Sequence, residues 1–173
     1  PAFTLMACLP APDNAVCATA SATINVNAGN LVALDDDLRA PAVDPATGGT
    51  TAGSVLANDT LDAATPPLPA TVVLSLVGAP AGYALNPDGT ITIPAGAAAG
   101  AVVLSYQVCQ AAAPANCTNA QATVLVSPVA VDDLASASVG QQVTGNVGGN
   151  DNVPAGAVFT AVGAPPAGLV FNA

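Results

Sequence analysis

Two cysteine pairs with similar spacing, each followed by the same alternating pattern, constrain the fold of this chain more than any other feature. Cys8 and Cys17 enclose eight residues, and Cys109 and Cys117 enclose seven. Each pair flanks a Pro-containing loop between two alternating runs, which predicts a disulfide across the neck of a hairpin. Binding of one metal ion by all four thiols would require them to converge from distant repeats, so we favour disulfides. Disulfides indicate an oxidising compartment outside the cytoplasm.

The sequence around each cysteine pair belongs to a longer internal repeat. Cys109 lies 101 residues after Cys8, and the "VALDDD" segment recurs as "VAVDD", "SVLANDT" as "GNVGGNDN", and "LSLVGAPAGYALN" as "FTAVGAPPAGLVFN". At an offset of 100 residues the strand that follows each pair also matches, and its alternation is typical of a half-buried strand. A period of about 85–100 residues is the size of one sandwich domain. The matching apolar positions are Ala22, Ile24 and Val26 against Ala122, Val124 and Val126.

This repeat divides the chain into three predicted parts. Residues 1–30 form the C-terminal hairpin of a preceding repeat, residues 31–127 a complete repeat, and residues 128–173 the N-terminal half of a following one. Short runs separated by Gly and Pro turns predict an all-β fold, an Ig-like Greek-key sandwich, with Tyr106 in its core. The strands predicted for the complete repeat are Leu31–Leu34, Ser54–Ala57, Thr71–Val77, Tyr83–Leu85, Thr90–Ile93, Ala101–Cys109 and Ala120–Val126.

The composition argues against most catalytic and nucleic-acid-binding functions. The chain has no His, Glu, Lys or Trp, Arg39 is its one basic residue, and all eleven acidic residues are Asp. General acid–base catalysis depends mostly on the missing residue types, so we expect no enzyme activity and no catalytic residues. A net charge of -10 without a basic cluster opposes nucleic-acid binding. No apolar run reaches the roughly 18 residues of a membrane-spanning helix.

The repeated segments resemble a known group of proteins. The Asp pair, the "NVLxND"-like stretch, the "DGT" turn and the aromatic residue of the penultimate strand are similar to bacterial Ig-like or cadherin-like tandem repeats. Repeats of this kind make up the stalks of large secreted adhesins and surface fibres. The resemblance implies an Ig-like fold, secretion to the bacterial cell surface, and a mechanical or adhesive role. It also implies calcium as a possible cofactor, since some relatives bind calcium between domains.

The Asp and Asn clusters have two interpretations. Calcium binds six to eight oxygen atoms from carboxylates, amides and carbonyls, which these segments supply. Asp and Asn also form turns by hydrogen bonding to nearby backbone, with no metal and no other cofactor. Both interpretations remain open from the sequence. The candidate residues are Asp35, Asp36, Asp37, Asn58, Asp59, Asp132, Asp133, Asn150 and Asp151.

The two partial repeats suggest how the protein assembles. A half-sandwich exposes strand edges and an apolar face, so we expect other copies of the chain as partners, head to tail, with the hairpin of one copy completing the C-terminal half-repeat of the next. The predicted function is a subunit or segment of a bacterial surface fibre that serves adhesion or a matrix. The alternatives are a stalk segment of one long adhesin with calcium-stiffened joints, or a carbohydrate-binding module. The predicted assembly residues are Phe3, Leu5, Ala22, Ile24, Val26, Val129, Val131 and Phe159.

Overall fold

The computed structural model describes residues 2–24, 28–63, 66–67 and 69–170. Within these ranges the regular structure is all β apart from one 3-10 turn at Pro69–Thr71, so the predicted all-β class is confirmed. The strands are β1 Ala2–Cys8, β2 Cys17–Thr23, β3 Leu31–Val32, β4 Asp36–Val43, β5 Gly49–Thr50, β6 Thr60–Leu61, β7 Val72–Val77, β8 Ala84–Leu85, β9 Ile91–Ile93, β10 Gly100–Gln110 and β11 Ala113–Val126.

The main sheet has the strand order β4-β11-β10-β7. Strands β10 and β11 form a long antiparallel hairpin, β7 pairs antiparallel with β10, and β4 pairs parallel with β11. Alternate residues of β10 face inward, so that Leu104, Tyr106 and Val108 are buried. The hairpin therefore supplies the largest share of the core, as the alternation in the sequence predicts.

Small sheets cover the inner face of the main sheet. One has the order β5-β9-β8, and the other is the pair β3-β6. Ile91 and Ile93 of β9 and the turn residues Val55 and Leu56 are buried in the same cluster as the inward side chains of β10 and β11. The central region thus has one hydrophobic core between two layers of strands.

One predicted strand of the central region is wrong. Residues 54–57 form a turn, in which the Ala57 amide donates to the Ser54 carbonyl (3.1 Å) and the Val55 amide donates to the Gly89 carbonyl (2.9 Å). Val55 and Leu56 are nevertheless buried. Two adjacent apolar residues can fill a core from a turn as well as from a strand, and a short apolar run does not distinguish the two.

Strand β4 is absent from the prediction, which placed the Asp cluster after a strand rather than within one. Asp36 and Asp37 are the first residues of β4, and Pro41 lies inside it. The strand begins with two aspartates and contains a proline, and proline ordinarily argues against a strand. It lies at an edge of the main sheet, which is where a sheet tolerates proline.

The two ends of the chain differ from the central region in burial. The N-terminal hairpin β1–β2 is exposed along nearly its whole length. Residues 128–170 contain no strand. Their one isolated β-bridge joins Val129 to Asn152. Apolar side chains here remain in solvent, and Leu134 is 95% exposed.

Candidate assembly site

Residues 31–61 contain a local set of hydrogen bonds that we call the first Asn–Asp clasp, made by Asn58 and Asp59. Asp59 Oδ1 accepts a hydrogen bond from the Leu34 amide (2.9 Å), and Asn58 Nδ2 donates to the Asp35 carbonyl (3.0 Å). The neighbouring strands β3 and β6 pair Val32 with Thr60. Two adjacent side chains therefore hold the segment that leads from β3 into β4.

The same arrangement recurs in the C-terminal segment as the second Asn–Asp clasp, made by Asn150 and Asp151. Asp151 Oδ1 accepts from the Val131 amide (2.8 Å), and Asn150 Nδ2 donates to the Asp132 carbonyl (3.3 Å). The bridge between Val129 and Asn152 corresponds to the pair Val32 and Thr60 of the first clasp. Residues 128–153 therefore have the local fold of residues 31–61.

The three consecutive aspartates next to the first clasp, Asp35, Asp36 and Asp37, make three different sets of contacts. Asp35 Oδ1 accepts from the Gln121 amide of β11 (2.8 Å). Asp37 pairs with Arg39 through both carboxylate oxygens (2.7 and 2.6 Å), and this hydrogen bonding lowers the pKa of Asp37 to about 2. Asp36 faces inward and is buried. Asp35 therefore fastens the start of β4 to β11, whereas the Asp37–Arg39 pair lies within β4.

The hydroxyl group of Tyr106 joins β10 to the first clasp. It donates to Asp36 Oδ2 (2.8 Å), and the carbonyl oxygens of Leu34 and Val55 lie 3.1 and 3.4 Å from the same hydroxyl oxygen. The Tyr106 side chain is fully buried, which confirms its predicted place in the core. A buried tyrosine needs a hydrogen-bond partner for its hydroxyl group. Here the partner is the Asp36 carboxylate, and two carbonyl oxygens lie close to the same hydroxyl group.

Burial controls the titration of this cluster. Loss of solvent raises the pKa of Asp36 to about 6, and the neighbouring charge of Asp59 adds to this rise while the Tyr106 hydrogen bond opposes it. Burial also raises the pKa of Asp59 and, together with the nearby carboxylates, that of Tyr106. Asp59 Oδ2 is buried and accepts no hydrogen bond from the described residues. Burial therefore makes the charged form of these carboxyl groups less favourable than it is in water.

The candidate calcium ligands are held mainly by protein groups. Within the described ranges, no three acidic or cysteine side chains are grouped so that they could hold a metal ion. Asp35, Asp37 and Asp59 each accept hydrogen bonds from backbone or from Arg39, while Asp132 and Asp133 are exposed. Asp35 and Asp59 join segments that are distant in sequence, Asp37 pairs within its own strand, and calcium binding stays a prediction.

Both predicted disulfides are present, and they place the two hairpins in the same register. Cys8 is bonded to Cys17 and Cys109 to Cys117, each across neighbouring strands with 4.0 Å between the Cα atoms. Counting back from the disulfide, Leu5 pairs with Ala20 as Tyr106 pairs with Ala120. β1–β2 is thus a second copy of β10–β11 that packs against no core.

The predicted assembly residues are divided between these two exposed regions. Phe3 and Leu5 of β1 are 48% and 56% exposed, and Ile24 after β2 is also exposed. Phe159 is half-buried, and its ring lies so close to Gly148 that a side chain there would contact the ring at 2.7 Å. Within this one chain the structure does not bring the two groups together. The remaining residues are Val131, which is exposed, Ala22 and Val129, which are half-buried, and Val26, which lies outside the described residues.

Asn152 forms a joint between the central core and the second clasp that sequence reasoning missed. Its side chain accepts from the Ala99 amide and donates to the Ala97 carbonyl, both at 2.9 Å. Pro154 packs beside Gly100, where an added Cβ would lie 3.2 Å from the proline. In the sequence, Asn152 is a single asparagine directly after the repeated Asn-Asp pair. An asparagine in such a place usually forms a turn, so the sequence does not indicate this contact.

Comparisons with known proteins give little information. No family model and no curated protein matches the chain. Among solved structures, one match is a SusE-like surface-located polysaccharide-binding protein from the heparin utilisation locus of Bacteroides thetaiotaomicron, at 16% identity and a TM-score of 0.31. The match covers 60% of this chain and 15% of that one. A TM-score of this size supports no inference about the fold or the ligand. Within the described ranges, no helix is long and apolar enough to cross a membrane.

Proposed function

We propose that this chain is a structural, non-enzymatic part of an extracellular bacterial fibre built from tandem β-sandwich units of the Ig-like kind. In this proposal the half-unit 128–170 is completed by a disulfide-closed hairpin such as β1–β2 of another copy. Addition of strands to an open edge supplies main-chain hydrogen bonds, and alternate side chains enter the partner core. Because hairpin and half-unit lie on different surfaces, the contact repeats head to tail and gives a filament.

One observation carries this proposal. The chain contains a hairpin and a half-unit that pack against no core, and its central region contains the same two parts packed together. In the central region, residues 31–61 contact β10–β11 through the Asp35–Gln121 and Asp36–Tyr106 hydrogen bonds. Residues 128–153 repeat the first partner, and residues 2–24 repeat the second. Exposed apolar side chains on both repeats suit an interface with each other.

The central unit supplies the register expected for this junction. There β11 pairs parallel with β4, so that Ala122 lies opposite Asp36 and Thr123 opposite Asp37. By the repeat, Thr23 of one copy should lie opposite Leu134 of the next.

The second candidate function is a stalk segment of one long covalent chain. The contacts of Asn152 with Ala97 and Ala99 favour it, since they fasten the second clasp directly to the preceding unit. In a stalk the hairpin that completes the half-unit belongs to the same polypeptide. Both functions place the protein outside the cell, in agreement with its two disulfides.

Deletion of residues 1–27 tests the fibre. We expect the deletion to abolish concentration-dependent association, measured by sedimentation velocity and electron microscopy, while the central unit keeps its thermal unfolding transition. A matched pair of substitutions separates the two faces of β1: Phe3→Asp on the face that corresponds to the core should block association, and Thr4→Asp on the opposite face should not. Filaments that persist after the deletion would rule out completion by this hairpin. A wild-type chain that stays monomeric would favour the stalk.

A further inference from the structure

We infer that the residue three places before the first cysteine of a hairpin determines how tightly that hairpin completes the half-unit 128–170, and that tight completion requires tyrosine there. The inference rests on the proposed function and identifies its specificity-determining position. The central hairpin has Tyr106 at this place, and β1–β2 has Leu5. We therefore expect β1–β2 to bind the half-unit less tightly than a hairpin with tyrosine at this place would.

The half-unit repeats each group that surrounds the Tyr106 hydroxyl group. In the central unit these groups are the carboxylate of Asp36 and the carbonyl oxygens of Leu34 and Val55. All three are acceptors, so the hydroxyl is the donor that this pocket needs. The corresponding residues of the half-unit are Asp133, Val131 and Val147, in the order just given.

A leucine at this place leaves the pocket without its donor. When β1 covers the half-unit, Leu5 excludes water from Asp133 and the two carbonyl groups but offers them no hydrogen bond. A buried polar group without a partner costs about 1–3 kcal/mol, which is about 5- to 150-fold in an association constant. Tyrosine supplies the missing proton donor and fills the larger volume as well.

Variants of the full-length chain test this inference. Leu5→Tyr should lower the concentration at which half of the protein is associated by about fivefold or more. Leu5→Phe is the matched control, because it adds the ring without the hydroxyl group, and it should give a much smaller change. Asp133→Val removes the carboxylate from the pocket, so it should strengthen association of the Leu5 chain and reduce the advantage of Leu5→Tyr.

The outcomes separate the inference from the proposed function. Equal strengthening by Leu5→Phe and Leu5→Tyr, or an advantage of tyrosine that is unchanged by Asp133→Val, overturns the inference while association through the hairpin stands. Failure of wild type and all variants to associate at millimolar concentration overturns the completion mechanism itself. Coupling between positions 5 and 133 in this double-mutant cycle supports both.

Discussion

The two Asn–Asp clasps have the same local hydrogen bonds but opposite degrees of burial. Asp59 of the first clasp is fully buried and lies beside a packed core. The second clasp, around Asp151, stands next to apolar side chains in solvent. Each clasp joins residues 18–25 positions apart, whereas the Tyr106–Leu34 contact that seals the first spans 72 positions. The clasp is therefore a local structure, and burial depends on a distant hairpin.

Replacing the core tyrosine should have the largest effect on the central unit. Tyr106→Leu gives β10 the residue that β1 has at the same place, removes a ring from the core and leaves Asp36 without its donor. We expect a loss of about 3–4 kcal/mol in the free energy of unfolding, measured by urea denaturation. Leu5→Ala is the control and should change this value by less than about 0.5 kcal/mol. Similar losses for both variants would mean that β1–β2 already packs against a core.

Removing the carboxylate of each clasp compares the two directly. Asp59→Ala leaves the Leu34 amide without its acceptor in a buried site and should destabilise the central unit by about 2 kcal/mol. Asp151→Ala does the same to the Val131 amide, where water can replace the acceptor, so the change should be below about 0.5 kcal/mol. Equal effects would contradict the difference in burial between the clasps.

Acidification should stabilise the central unit through the buried carboxyl group of Asp36. The pKa of Asp36 is raised from 3.8 to about 6 in the folded state, so the folded state binds a proton more tightly than the unfolded chain. This stabilisation is fully present below about pH 4 and is lost as the pH rises through 6. Unfolding should cost about 1–2 kcal/mol more at pH 4.5 than at pH 7.5. Asp36→Asn should remove most of this dependence.

Calcium should have the smallest effect on either clasp. Asp59 Oδ1 and Asp35 Oδ1 already accept hydrogen bonds from the Leu34 and Gln121 amides. Asp59 Oδ2 and Asn58 Oδ1 have no partner among the described residues, but no three acidic side chains of the described ranges are grouped as a metal site would require. Thermal unfolding in millimolar calcium chloride and in excess chelator should give the same melting temperature. A melting temperature several degrees higher in calcium than in chelator would mean that these aspartates bind the metal.

Sequence reasoning identified the features of this fold that depend on local pattern. The spacing of the cysteines gave both disulfides, and the period-two alternation gave the inward face of β10 with Tyr106 in the core. Strand β4 was missed because its stability comes from parallel pairing with β11, more than 80 residues away, and not from its own residues. The partnership of Asp36 with Tyr106 was missed for the same reason. A carboxylate that binds a buried hydroxyl group has the same sequence pattern as one that forms a turn.

Cross-linking of the predicted junction tests the central claim most directly, namely that 128–170 binds β1–β2 of another copy in the register in which 31–61 binds β10–β11. Thr123 lies opposite Asp37 in the central unit, which corresponds to Thr23 and Leu134 across two copies. Chains with Thr23→Cys should therefore form disulfide-linked dimers with chains that carry Leu134→Cys. Thr19→Cys, on the same strand but out of register, should form few. Absence of the first dimer, or equal yields for positions 19 and 23, would contradict the account.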